Sequence, residues 1–274
     1  MAKRTRKLWV GIGAATIAGA SVVGSASAQD AHKSHQPPTA TGKDAATSTP
    51  DQGGEAYLTD GGPRDTRIRF YRDIALMRGH LLVGRQLIEL ALWDEALPHF
   101  LHPTEELYGV MEKYIKLHGI RPFSRELQAL AQAVKAKRKG AYEQALKVVE
   151  ERLEGALAVA RRFMTPLLGF TTRAAAEVLK VALSEYATSI EGGRFAKPVE
   201  YQDSRGFVWQ AERMIEGAAG ELAKVDAAAL ARMRGALAQL KAAWPAPMPP
   251  DAPILQPGLM SSLISDIELH ASRY

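Results

Sequence analysis

The chain has 274 residues, of which 46% are hydrophobic and 24% charged; it contains no cysteine and carries a formal net charge of +5. The lack of cysteine excludes disulfides, thiolate metal sites and cysteine nucleophiles. Four of the basic side chains lie within residues 1–28, and a net charge of +1 remains without them. We therefore expect no nucleic-acid partner, because such binding requires a concentrated basic face.

The first 28 residues have the features of a secretory signal peptide. A basic segment at residues 3–7 precedes an apolar stretch rich in Gly and Ala at residues 8–24, and Ala26-Ser27-Ala28 fits a cleavage site. An uncleaved membrane anchor is the alternative, which the short stretch of small residues disfavours. We expect an exported, periplasmic protein that begins at Gln29 and has no membrane span after signal cleavage.

The remaining chain predicts a disordered linker followed by helices. Residues 29–63 are polar, rich in Pro, Gly and Thr, and lack an apolar period. Apolar residues recur at helical spacing over residues 64–244, and no segment alternates with strand period for long, so we predict an all-α helical domain. Prolines at 245–258 predict a stiff connector, and residues 259–274 predict a C-terminal amphipathic helix.

A faint repeat marks three predicted turns, which begin at Ala91, Gly140 and Gly193. In each copy an aromatic residue lies two positions after this first small residue. A second small residue or a proline lies three positions after the aromatic residue. We expect antiparallel helical hairpins that form a bundle or a short irregular helical-repeat stack. The first copy resembles a tetratricopeptide hairpin, although the distance between copies exceeds the period of that family. Its matching residues are Gly84, Leu87, Ala91, Trp93, Ala96 and Phe100.

The segment His99-Phe-Leu-His102-Pro-Thr-Glu105-Glu106 gathers two imidazoles and two carboxylates. A hairpin that turns near Trp93 would bring His80 from the preceding helix back onto this segment. Imidazole and carboxylate ligands without thiolates suit iron, zinc or copper. The sequence therefore predicts a site for an iron, copper or zinc ion with the ligands His80, His99, His102, Glu105 and Glu106.

Pro103 gives the same segment an alternative interpretation. Proline would end one helix at His102, and Thr104 would cap the next helix. Glu105 and Glu106 would then complement the N-terminal helix dipole without any metal.

Glu200 and Asp203, three residues apart, form a possible second site. Paired carboxylates at this spacing share a helix face and could hold a hard cation or do acid–base work, although helix capping and solubility explain them more simply. The sequence shows no Ser/His/Asp constellation, phosphate-binding glycine loop or nucleotide fingerprint. We therefore expect a non-enzymatic protein.

The segment Leu183–Asp203 resembles a helix–turn–helix in the extracytoplasmic helical domain of bacterial high-affinity iron permeases. That family has a tyrosine-bearing helix, a turn with glycine, and a Glu-Tyr pair that opens the next helix. The Arg-Glu-x-x-Glu motif and the membrane segments of the permease have no counterpart here, so the resemblance implies an accessory rather than the channel itself. The matching positions are Glu185, Tyr186, Gly193, Glu200 and Tyr201.

The chain is also similar in type to imelysin-like periplasmic proteins, which are exported helical bundles linked to iron uptake. Of their Gly-x-His-x-x-Glu signature, only His102 and Glu105 keep the spacing. Together these features predict a metal-binding accessory of an uptake or homeostasis system, with iron as the expected metal and a membrane transporter or another envelope protein as partner. The alternative is a tetratricopeptide-like protein-interaction module of the cell envelope.

Overall fold

The computed structural model describes residues 62–274. The predicted signal peptide and residues 29–61 of the predicted linker lie outside the described residues. The prediction of an all-α fold is confirmed, since helices fill most of residues 62–274 and the strands are limited to one short hairpin. The helices are α1 (Thr66–Glu89), α2 (Trp93–His102), a π-helical segment (Pro103–Tyr108), α3 (Gly109–Leu117), α4 (Ser124–Lys135), α5 (Lys139–Arg161), α6 (Leu167–Thr188), α7 (Pro198–Gly217), α8 (Ala219–Lys241) and α9 (Pro257–Ala271); strands β1 (Ile190–Glu191) and β2 (Arg194–Phe195) pair between α6 and α7.

Helix α1 lies at the centre of the described fold. It packs against α2, α5, α6 and α7. A helix surrounded in this way is buried on most of its faces, and its apolar residues do not follow a single stripe. Ile74, Leu76 and Met77 are all fully buried, and the polar Arg72, Asp73 and His80 are buried with them.

The backbones of α1 and α7 touch where two glycines meet. A Cβ atom on Gly206 would clash with the carbonyl oxygen of Gly79, and a Cβ atom on Gly79 would lie 2.6 Å from Phe207 Cδ1. Only glycine permits so close an approach at these positions. The contact fixes the register of α1 against α7, and it therefore decides which side chains of the two helices face each other.

Helices α1 and α2 form an antiparallel hairpin. The chain reverses at Ala91, which has a positive φ of 60°. A Cβ atom on Gly84 would lie 2.6 Å from Phe100 Cε2, so the small residue allows the aromatic ring to pack directly on α1. The rings of Trp93 and Phe100 meet that of Tyr142 edge to face, with centroids 5.8 and 5.7 Å away, and they join this hairpin to α5.

Pro103 does not end the helix, contrary to the alternative interpretation of the sequence. Its backbone is helical (φ −54°, ψ −32°), and the chain continues through the π-helical segment into α3. The wider turn accommodates a residue that lacks an N–H group. Thr104 is no N-cap, since its buried Oγ1 has no hydrogen-bond partner among residues 62–274.

The C-terminal half joins α6, α7, α8 and α9, with α9 packed on α6 and α8. The proline-rich connector between α8 and α9 is held by two buried tyrosines. Tyr201 OH donates to Ala246 O at 3.0 Å, and Tyr186 OH donates to Leu255 O at 3.0 Å. Within residues 62–274, no helix has both the length and the apolar character needed to cross a membrane.

Candidate metal centre

Three histidines converge on the carboxylate of Asp203. His80 Nδ1 and His99 Nδ1 each donate to Asp203 Oδ1 at 2.6 Å. His102 Nδ1 donates to Asp203 Oδ2 at 2.9 Å. Since His80 lies on α1, His99 and His102 on α2 and Asp203 on α7, one acidic side chain ties three helices together.

The packing of the three helices explains this convergence. The contact of Gly79 with Gly206 places the next residue of α1, His80, beside Phe207, with ring centroids 4.8 Å apart. His99 and His102 are three residues apart and therefore lie on one face of α2. The ring of His102 meets that of His80 nearly at a right angle, with centroids 5.2 Å apart.

The cluster is closed on one side and open on the other. His80, His99 and Asp203 are buried, with exposures of 2%, 0% and 3%. Gln202 Oε1 lies 2.9 Å from His99 Nε2 on the closed side. The side chains of His102 and Glu106 are 20% and 24% exposed, and Glu106 Oε1 lies 3.5 Å from His102 Nδ1. His102 and Glu106 therefore form the side of the cluster that is nearest to the solvent.

The electrostatics of the cluster follow from burial and close opposite charges. Burial alone would raise the pKa of Asp203, but the charges of the three histidines and the hydrogen bond from His102 hold that pKa well below its ordinary value. Burial would lower the pKa of His102, but the charge and hydrogen bond of Asp203, helped by Glu106 and Glu185, raise it to about 9. Burial dominates at His80 and lowers its pKa.

The residues present fit a transition-metal ion. The ligand atoms of His80, His102 and Asp203 lie within 4.8 Å of one another, and ligands of one ion with bonds of about 2.0–2.2 Å must lie that close together. His99 lies beside this group, with its Nδ1 2.6 Å from Asp203 Oδ1. Imidazole nitrogens with one carboxylate suit Fe, Zn, Cu or Mn. Such an ion would replace the protons that the imidazoles now share with the carboxylate.

The two glutamates after Pro103 have different surroundings. Glu106 lies beside His102, whereas Glu105 is exposed and makes no hydrogen bond or ion pair with any residue of the described range. A π-helical turn contains more residues than an α-helical one. Glu106, four positions after His102, therefore lies next to the His102 side chain, whereas Glu105, three positions after it, does not. The structure thus brings together every histidine of the predicted site but leaves out Glu105.

Asp203 belongs to the histidine cluster rather than to a separate pair with Glu200. The sequence grouped it with Glu200 because the two share a helix face, whereas the structure places Asp203 between the three imidazoles. Glu200 is half-buried, and that burial raises its pKa. Sequence reasoning also missed Gln202, which carries no signal beyond being a polar residue on a largely buried helix.

Comparison with known proteins gives a match over the C-terminal part of the chain. No curated protein and no solved structure is similar enough to match the chain. Residues 168–273, which span α6 to α9, match the family model described as "Iron permease-associated 4-helix bundle domain". The match begins after α1 and α2 and includes Asp203. The histidine cluster therefore joins the matched residues to the helices that precede them. The predicted resemblance to the helical domain of iron permeases is thereby confirmed over residues 168–273.

Proposed function

We propose that the protein binds a transition-metal ion, with iron as the physiological metal, and serves an iron permease as a non-enzymatic accessory in iron uptake. The convergence of His80, His99 and His102 on the Asp203 carboxylate is the observation that carries this proposal. The iron permease-associated domain over residues 168–273 supports iron as the metal and a membrane transporter as the partner. The proposal includes export to the periplasm, where such a partner would meet its cargo.

The proposed ligands are the three imidazoles and Asp203, with Glu106 on the solvent side. Holding four ligand groups in fixed positions, three of them buried, lowers the ordering that an ion must impose when it binds. A set of imidazoles with one carboxylate favours Fe(II), Cu(II) or Zn(II), and the permease-associated domain favours iron among these.

The open side of the cluster suits a cargo ion that must enter and leave. Glu106 and Glu185 both act electrostatically on His102, the ligand nearest the solvent. Negative charge around an entrance raises the local concentration of cations. In this proposal the glutamates attract the ion and the buried histidines and Asp203 hold it.

Isothermal titration of the full chain with Fe(II) under anaerobic conditions, and with Cu(II) and Zn(II), tests the proposal. We expect one ion per chain, bound tighter than millimolar, and a loss of about tenfold or more in His102→Ala. His270→Ala is the matched control, because this partly exposed histidine lies 3.5 Å from Asp266, outside the cluster. Unchanged binding in His102→Ala, or no binding tighter than millimolar, would contradict the proposal.

A second candidate function is a tetratricopeptide-like protein-interaction module. The close packing of Gly84 on Phe100 in the α1–α2 hairpin favours it. Affinity purification from envelope extracts would distinguish the two functions. A tight protein partner together with metal-free protein would support the interaction module.

A further inference from the structure

One end of the described fold exposes large apolar side chains that lie together. The beginning of α1, the end of α3 and the end of α5 meet there, since Arg67 Nη1 donates to Phe163 O at 3.1 Å and the rings of His118 and Phe163 have centroids 4.7 Å apart. Phe163 is 48% exposed, and Leu117, the neighbour of His118, is 75% exposed. Exposed apolar side chains that are grouped in this way mark surfaces that contact a partner.

A recess of about 200 Å³ between α1 and α3 belongs to the same end. Val110 and Leu117 are seven residues apart, so they lie on one face of α3, and both line the recess. Val110 is 47% exposed. Arg69 of α1 and Lys113 of α3 line the recess as well. The exposed apolar side chains therefore have basic neighbours.

The basic side chains of this end have no carboxylate partner. Arg69, Lys113 and Arg162 form no ion pair with any residue of the described range. Arg162 is exposed and comes directly before Phe163. Cations that are not paired within the protein remain available to an anionic partner.

The nearby carboxylates do not balance these cations. Asp65 pairs with Arg67 at 2.7 Å. Asp73 lines the recess but is only 4% exposed, and it pairs with Arg72 at 2.7 Å. Glu112 is exposed but does not line the recess. This end of the fold therefore presents positive charge to an approaching partner.

We propose that this end of the fold binds an anionic phospholipid membrane. The residues that do so, which we call the α1–α3 surface, are Arg69, Val110, Lys113, Leu117, Arg162 and Phe163. The three cations pair with lipid phosphates, and the three apolar side chains enter the boundary between headgroups and acyl chains. A soluble anion would leave those apolar side chains in water, whereas an anionic bilayer accepts both kinds of group.

The α1–α3 surface contains none of the residues of the metal cluster. His80 lies about three turns, or roughly 16 Å, further along α1 than Arg69. Membrane binding and metal binding can therefore be tested separately, and the failure of one proposal leaves the other standing.

Co-sedimentation of the chain from Gln29 to Tyr274 with lipid vesicles tests this inference. This chain keeps the whole described fold and omits the apolar residues 8–24, which would themselves bind lipid. We expect it to sediment with vesicles of equal parts phosphatidylglycerol and phosphatidylcholine, and to bind about tenfold or more weakly to vesicles of phosphatidylcholine alone. Added salt should release the protein, because salt screens the attraction between the cations and the lipid phosphates.

Two substitutions separate the charged from the apolar contribution. Lys113→Gln should weaken binding about fivefold, as expected for one cation at an anionic membrane, and Leu117→Gln should weaken it about tenfold by removing an inserted apolar group. The control for the charge is Lys147→Gln, at an exposed residue of α5 about 22 Å along that helix from Arg162. The control for the apolar group is Leu90→Gln, at a residue that is 55% exposed beyond the opposite end of α1. Both controls should bind vesicles like the unsubstituted chain.

Thermal unfolding verifies that the variants keep the fold. All four substituted side chains are exposed, so the melting temperatures should stay unchanged. Equal binding to neutral and anionic vesicles would overturn the inference, as would binding that survives both Lys113→Gln and Leu117→Gln. An absence of vesicle binding would overturn it as well, including the case in which a purified acidic protein binds the α1–α3 surface instead.

Discussion

His80 and Asp203 are 123 residues apart in the sequence, yet His80 Nδ1 donates a hydrogen bond to Asp203 Oδ1 at 2.6 Å. The bond joins α1 to α7 beside the point where the backbones of Gly79 and Gly206 touch. Helix α7 lies within residues 168–273, which match the family model of the iron permease-associated domain, and α1 precedes them. The histidine cluster therefore depends on how residues 168–273 pack against the helices before them.

Enlarging Gly206 should damage the fold and the proposed metal site together. In Gly206→Ala the new methyl group clashes with the carbonyl of Gly79, so α1 must shift and carry His80 away from Asp203. We expect a loss of about 1–3 kcal/mol in the free energy of unfolding, measured in urea, and weaker metal binding. Gly235→Ala is the control, since a Cβ atom there meets nothing within 4 Å. This helical substitution should be neutral or stabilising, and equal behaviour of the two variants would contradict the proposed role of the glycine contact.

Removing the charge of Asp203 should destabilise the metal-free protein. Asp203→Asn leaves three imidazoles around a neutral side chain, and breaking a buried charge network typically costs about 3–5 kcal/mol. The pKa of His102, now raised to about 9, should fall toward its ordinary value. Urea unfolding and NMR titration of the histidines measure both effects. Asp266→Asn, next to the partly exposed His270, should change neither quantity, and a His102 pKa that stays near 9 in Asp203→Asn would refute the assigned cause.

The stability of the metal-free protein should fall as the pH rises toward 9. Because the folded pKa of His102 is raised from 6.5 to about 9, its protonation stabilises the fold fully below pH 6.5, and this stability is lost as the pH rises through about 9. The loss is at most about 3 kcal/mol. Urea unfolding in the presence of a chelator measures it. His102→Gln should lose less stability over this range, and an equal loss in both proteins would show that another group titrates.

Part of the cluster could be predicted from the sequence because it depends on local rules. A turn near Trp93 and the spacing of His99 and His102 suffice to bring these residues back toward His80. The position of Asp203 could not be predicted, since it depends on a glycine contact between helices that are far apart in the sequence. Helical periodicity identifies the buried face of α7 but gives no register against α1.

Two other features show the limits of prediction from short sequence patterns, namely the helix after Pro103 and the Glu-Tyr pattern. Proline normally ends a helix, so the sequence predicted a new helix after His102, whereas a π-helical segment continues the old one. The Glu-Tyr pattern that resembles the iron permease domain includes Tyr186 and Tyr201, whose hydroxyls hold the connector between α8 and α9. These tyrosines therefore serve the fold, a role that only the tertiary structure could reveal.

X-ray absorption at the iron edge, on the full chain loaded with one equivalent of Fe(II), tests the central claim most directly. We predict about three imidazole nitrogens and at least one carboxylate oxygen at about 2.0–2.2 Å. The imidazole contribution should decrease in His102→Ala and persist in His270→Ala. A shell of oxygen ligands without imidazole, or a spectrum unchanged in His102→Ala, would contradict a metal centre built from His80, His99, His102 and Asp203.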